Sequence, residues 1–96
     1  MLQTIVDAIH KHQVLAFSYS GLDRLIEPHA VGISRTGKPV LRCYQLQGGH
    51  ITPGHDWDLC ELAKIKDLRT TGSTFTNPRP GYKRGDRHML KIYAQL

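Results

Sequence analysis

Ninety-six residues, 40% hydrophobic and 7% aromatic with a formal charge of +5, make a chain too apolar for disorder. It is just long enough for one modest core without metal or disulfide support. Charge interrupts every apolar stretch well short of the roughly 20 residues that a membrane helix needs, and Met1-Leu2-Gln3-Thr4 carries no basic leader, so a cytoplasmic protein with no membrane partner is expected. Two cysteines, Cys43 and Cys60, lack a close-spaced partner and fit buried thiols of a reducing compartment.

Leu2, Ile5, Val6 and Ile9 recur at helical spacing, and Thr4 with Asp7 gives a capping signal, which predicts a helix from about Thr4 to His12. The pattern then alternates. Val14–Tyr19 reads as a first strand and Leu25–Ile33 as a second, joined around Ser20-Gly21-Leu22-Asp23. Pro28 lies inside the second strand and, having no N–H, belongs at an edge or a bulge. After the polar turn Arg35-Thr36-Gly37-Lys38, Val40–Leu46 forms a third strand.

Gln47–Asp56, with Gly48, Gly49, Pro53 and Gly54, reads as a long hairpin loop, and Trp57–Leu62 as a fourth strand. Ala63–Leu68 is open between a helical turn and a strand, and a fifth strand is expected from about Leu68 to Thr71, with Phe75 anchoring the sheet's end. Asn77–Tyr82 is an extended, turn-rich arm, and Met89, Ile92, Tyr93 and Leu96 are too apolar to stay wet. That tail packs back on the barrel or on a second copy. The expected class is therefore mainly β (α+β): an N-terminal helix and a small, bent, five-stranded antiparallel barrel over residues 1–76, with a basic C-terminal arm and apolar tail over 77–96.

Charge is unevenly placed. Residues 1–62 carry five basic and six acidic side chains and residues 63–96 carry eight and two, for net charges of −1 and +6. Such a field attracts phosphate, a membrane surface or an acidic protein, or it simply keeps a small domain soluble. Arg79–His88 holds Arg79, Lys83, Arg84 and Arg87 around Tyr82 among Gly and Pro. Cations that track a phosphate chain beside an aromatic stacking plane suit single-stranded nucleic acid. A solvated tail or a clamp is the other reading of that segment.

In this order the residues resemble the WYL domain, a bacterial and phage regulatory module with an Sm-like or SH3-like barrel. The resemblance covers residues 3–76: a leading helix, Leu15-x-Phe17-x-Tyr19, Arg24-x-Ile26-x-Pro28-His29, a glycine turn before an apolar strand, Trp57-x-Leu59, Lys64-Ile65-x-x-Leu68 and Phe75. Pro39-Val40-Leu41 stands where the family's Trp-Tyr-Leu would be, and Ala63-Lys64-Ile65 where it has an Asp-Arg-Ile element. The resemblance implies a transcription-related sensor or accessory module whose concavity binds a negatively charged ligand, single-stranded nucleic acid or a nucleotide foremost. No DNA-binding helix-turn-helix accompanies it.

For that binding, Arg24, Arg42 and Lys64 are candidate phosphate ligands. Tyr19 and Tyr44 are candidate stacking faces or core tyrosines, and His29 a polar group at the pocket mouth or a strand histidine. No cofactor is expected. His50, His55, Asp56, Asp58 and Cys60 match no compact metal-ligand spacing, and no catalytic arrangement is legible, His29 lacking an indicated carboxylate partner. The sequence is read as a non-enzymatic binding module, or as a protein-interaction or homodimerisation domain built on the apolar tail.

Overall fold

The computed structural model describes residues 1–48 and 56–96, with 47 and 48 by backbone alone. Among these residues one helix, α1 (Leu2–His10), leads six strands: β1 (Gln13–Tyr19), β2 (Leu22–Ser34), β3 (Pro39–Gly48), β4 (Trp57–Glu61), β5 (Lys66–Thr74) and β6 (Met89–Gln95). All pairings are antiparallel, in the order β4-β3-β2-β1-β5 with β6 also on β2. The result is mainly β, a helix beside a bent, barrel-like sheet.

The helix begins and ends two residues earlier than its sequence signals. Met1 is its N-cap, with no side-chain cap bond, and Asp7 instead accepts from Gln3 Nε2 at 2.8 Å. His12, at φ 53, leaves the helical region and turns the chain into β1. Ile5, Ala8 and Ile9 are buried against Leu15, Phe17, Ile26, Val31 and Leu41, each large side chain contributing about 1.5–3 kcal/mol by leaving water.

Ser20 and Gly21, both at positive φ, form the two-residue hairpin that sets Tyr19 opposite Leu22. β2 is the axis of the sheet. Its first half pairs with β1 through Ile26, its second half with β6 from Ala30, and β3 runs along its other side. The change of partner falls at Pro28-His29, where the β3 register also shifts. The proline therefore sits at a bulge, as its missing N–H requires.

Two expectations are corrected. The strands among the described residues number six and not five, because residues 89–95 of the apolar tail pack back on the barrel as a strand on the chain's own β2. β5 is also longer than Leu68–Thr71, since Asp67 and Gly72, at φ 56 and 84, let it kink and keep pairing with β1 across two register shifts. The ambiguous stretch before it resolves into a short 3-10 turn, Leu62–Lys64. The expected Gln47–Asp56 loop lies mostly outside the described residues. Cys43 and Cys60 are free and buried, and the neighbouring Cys60 thiol together with burial pushes the Cys43 thiol well up.

Candidate functional site

Between β5 and β6 the chain crosses the β2–β3–β4 face as the arm 75–88, and the bend of β2 anchors it. His29 is fully buried. The backbone N–H of Arg79 donates to His29 Nε2 at 3.0 Å, so that nitrogen is bare, and Nδ1 carries the proton and donates to the Glu27 carbonyl at 2.9 Å. Burial holds the imidazole below its ordinary value. Rings enclose it: Trp57 edge-on at 4.7 Å, Tyr82 edge-on at 5.0 Å and Phe75 stacked at 5.9 Å.

Arg79 lays its guanidinium fork on Glu27, with Nε to Oε1 at 2.8 Å and Nη2 to Oε2 at 3.2 Å, and its Cζ lies 4.7 Å from the centre of the Tyr44 ring. The Tyr82 hydroxyl is directed at the carbonyls of His29 and Leu96, 3.3 and 3.4 Å away. Tyr82 lies nearly parallel to Trp57 at 6.3 Å, and Trp57 meets Tyr44 edge-on at 5.3 Å.

Beyond Tyr82 the arm stands away from the sheet and leaves a cleft of about 440 Å³ lined by Arg42, Trp57 and residues 81–88. Arg42 and Asp86 tie its two walls, with Nε to Oδ2 at 2.7 Å, and Arg42 Nη2 also donates to His88 Nδ1 at 3.0 Å. Burial raises the Asp86 carboxyl, but the bonds from Arg42 and from the His88 N–H outweigh it and leave it below its ordinary value. Arg84 Nε donates to the Leu96 backbone oxygen at 2.9 Å. The exposed side chains of Lys83 and Arg87 make no hydrogen bond or ion pair among the described residues. The cleft thus has aromatic walls from Trp57 and Tyr82 and a cationic rim.

Of the residues singled out in sequence, the fold brings Arg42, Tyr82, Lys83, Arg84 and Arg87 together on this cleft. His29, Tyr44 and Arg79 form the layer that holds the arm. Tyr19, Arg24 and Lys64 are elsewhere. Arg24 is buried, bonded through Nη1 to Asp58 at 2.8 Å and laid over Tyr19 at 5.2 Å. The Tyr19 hydroxyl oxygen accepts from the Glu61 backbone N–H at 3.0 Å, and exposed Lys64 pairs with Glu61 at 3.0 Å.

Sequence reading missed Glu27, Trp57 and Asp86 as members of the site. Trp57 was visible as the lone tryptophan beside a loop rich in Gly and Pro, and Asp86 as the lone acid among the arm's cations. Nothing local marked Glu27 as the partner of a residue 52 positions away. His50 and His55 lie outside the described residues, among which no group of three His, Cys, Asp or Glu could hold a metal ion. No described helix is long and apolar enough to cross a membrane.

No family model, curated protein or solved structure matches this chain.

Proposed function

We propose that this protein is a non-enzymatic sensor or accessory regulatory module of WYL-like type, and that its arm cleft binds a negatively charged ligand, single-stranded nucleic acid or a nucleotide. The observation that carries the reading is the juxtaposition of Lys83, Arg84 and Arg87 with the Trp57 and Tyr82 rings around one 440 Å³ hollow. Cations neutralise phosphate while an accessible aromatic face stacks a base, each stack contributing about 1–3 kcal/mol. The free, buried thiols fit a cytoplasmic setting.

Titration of a labelled single-stranded oligonucleotide tests this. Binding is expected at low salt, steeply weakened by added salt, and lost in Lys83→Glu/Arg87→Glu, which breaks no described side-chain bond. Absence of binding at about 50 mM salt, to oligonucleotide and mononucleotides alike, rejects it.

A protein-interaction or homodimer reading rests on a different surface. Leu90 and Tyr93 stay 64% and 40% exposed on β6, and Tyr93 joins Met1, Leu2, Leu62 and Ile65 around an apolar hollow of about 410 Å³. Light scattering of wild type and Leu90→Lys/Tyr93→Lys measures it directly. A monomer at high concentration in both argues against a homodimer.

A further inference from the structure

The layer beneath the cleft is built like a receptor with a peptide already in it. The receiving groups belong to the sheet: the Glu27 carboxylate, the His29 imidazole, and the rings of Tyr44 and Trp57. Apart from Phe75, which stacks on His29, the received groups belong to Pro78-Arg79-Pro80-Gly81-Tyr82, a segment in neither helix nor strand.

The Glu27 side chain is 5% exposed. A carboxylate withdrawn that far from water needs a cation, and among the described residues the sheet does not supply it. It comes from an arm side chain that is itself 40% exposed. The recognition is specific for arginine: two parallel N–H bonds to the two carboxylate oxygens at 2.8 and 3.2 Å need the planar fork, and the Tyr44 face at 4.7 Å favours a flat cation over a lysine ammonium.

The backbone is read as well. Prolines on both sides leave Arg79 the only backbone N–H among residues 78–80, and that N–H meets the bare His29 Nε2. The prolines fix φ on both sides, and the Tyr82 N–H donates to the Arg79 carbonyl at 3.1 Å, so Arg79–Tyr82 is a preformed turn and little conformational freedom is lost on docking. Gly81, at φ 92, carries no Cβ near the indole Nε1, and Tyr82 closes on His29.

We propose that this pocket is an arginine-reading site for a proline-flanked arginine that opens a Pro-Gly turn in a segment of a protein partner, with residues 78–82 as its internal competitor. A tethered segment competes at an effective concentration in the millimolar range, so a partner peptide binds wild type weakly. It binds well once Arg79 no longer fills the pocket. This site shares Trp57, Gly81 and Tyr82 with the anion cleft, but its arginine contacts are to Glu27 and Tyr44 and do not depend on that reading.

The test is titration of the peptide acetyl-Asn-Pro-Arg-Pro-Gly-Tyr-amide, and of its lysine counterpart, into wild type, Arg79→Ala, Arg79→Lys and Arg79→Ala/Glu27→Gln. Fluorescence of Trp57, the one tryptophan, reports occupancy. Saturable binding of the arginine peptide to Arg79→Ala and Arg79→Lys is expected, at least about tenfold tighter than to wild type. The lysine peptide should bind at least about tenfold more weakly than the arginine peptide, and Glu27→Gln should abolish the response.

Should Arg79→Ala not fold alone, Arg79→Lys keeps a cation beside Glu27 and carries the comparison. No saturable change in either variant, equal response to the two peptides, or indifference to Glu27→Gln overturns the proposal. Oligonucleotide affinity measured on the same proteins without peptide reports the cleft.

Discussion

The bare Nε2 of His29, at the bulge of β2, takes the backbone N–H of Arg79 at 3.0 Å, so one neutral imidazole fastens the arm to the strand where that strand changes partners. Its other nitrogen is committed to the Glu27 carbonyl. The ring has no place for a second proton without putting two donors face to face.

Stability should therefore fall with pH around the histidine's range. Burial is the main reason the His29 pKa is lowered; the Glu27 carboxylate pulls it up, while Arg79 and His12 push it down. Below the free value of 6.5 the unfolded chain binds a proton that the folded chain refuses. The stability is fully present above that value and is lost as pH drops toward the folded pKa, by up to about 1.4 kcal/mol per pH unit. Urea unfolding at about pH 7.5 and 5.5 measures it: wild type loses stability, whereas His29→Gln is weaker at both and loses less between them. Asp86 and Glu61, whose pKa values are lowered, act in a separate window near and below pH 4. A wild-type profile as flat as the variant's would contradict the assignment.

Gly32 fixes the sixth strand. A Cβ there would lie 2.0 Å from the Lys91 carbonyl oxygen and 2.9 Å from the Ile92 Cα, and both are backbone atoms that no rotamer change moves aside. Gly32→Ala must push β6 off β2, at a cost of at least about 2 kcal/mol, and hydrogen exchange should quicken in residues 89–95. Unchanged stability and exchange would mean that β6 is not seated this closely.

That glycine also shows what was legible in the sequence. Alternation in β1 to β4 and helical spacing in α1 reflect burial on one face, a local pattern, so those elements were visible with ends shifted by a few residues. β6 was not. Met89-Leu90-Lys91-Ile92-Tyr93-Ala94-Gln95 lacks clean alternation because its register shifts twice against β2, and its one distant signal was a glycine inside a strand pattern, a mark of close backbone approach. The cationic half of the cleft was legible as composition in the arm. Its pairing with Arg42 and Asp86, 44 residues apart, depends on the crossing of the arm, which no local pattern encodes.

Asp86 tempers the cleft. It holds Arg42 in a bidentate contact at 2.7 and 3.4 Å and contributes the one carboxylate side chain among the described residues that line the cleft. Asp86→Asn keeps the shape and removes the charge, so affinity for an oligonucleotide or nucleotide should rise by about three- to tenfold, with a modest loss of stability as the Arg42 pair weakens. Titration of wild type and variant at one salt concentration measures this. Equal or weaker binding would place the ligand away from Arg42.

Arg24 separates structural from binding arginines. Its side chain is 4% exposed, bonded to Asp58 and packed over Tyr19, and its Nε is buried without a partner among the described residues. Arg24→Met keeps the stem's volume and removes that orphan donor, but it takes a cation from Asp58, whose own side chain is 22% exposed and so reaches water. The net cost is expected at about 2–3 kcal/mol, below the 3–5 of a fully buried pair. Oligonucleotide affinity under native conditions should stay within about twofold, because the lost charge lies outside the cleft. Denaturation and titration of the same preparation decide it. A variant that keeps its stability and loses binding would move the anion site to the Tyr19–Arg24 side of the sheet, whereas lower stability with intact binding assigns Arg24 to the fold and leaves recognition to the arm.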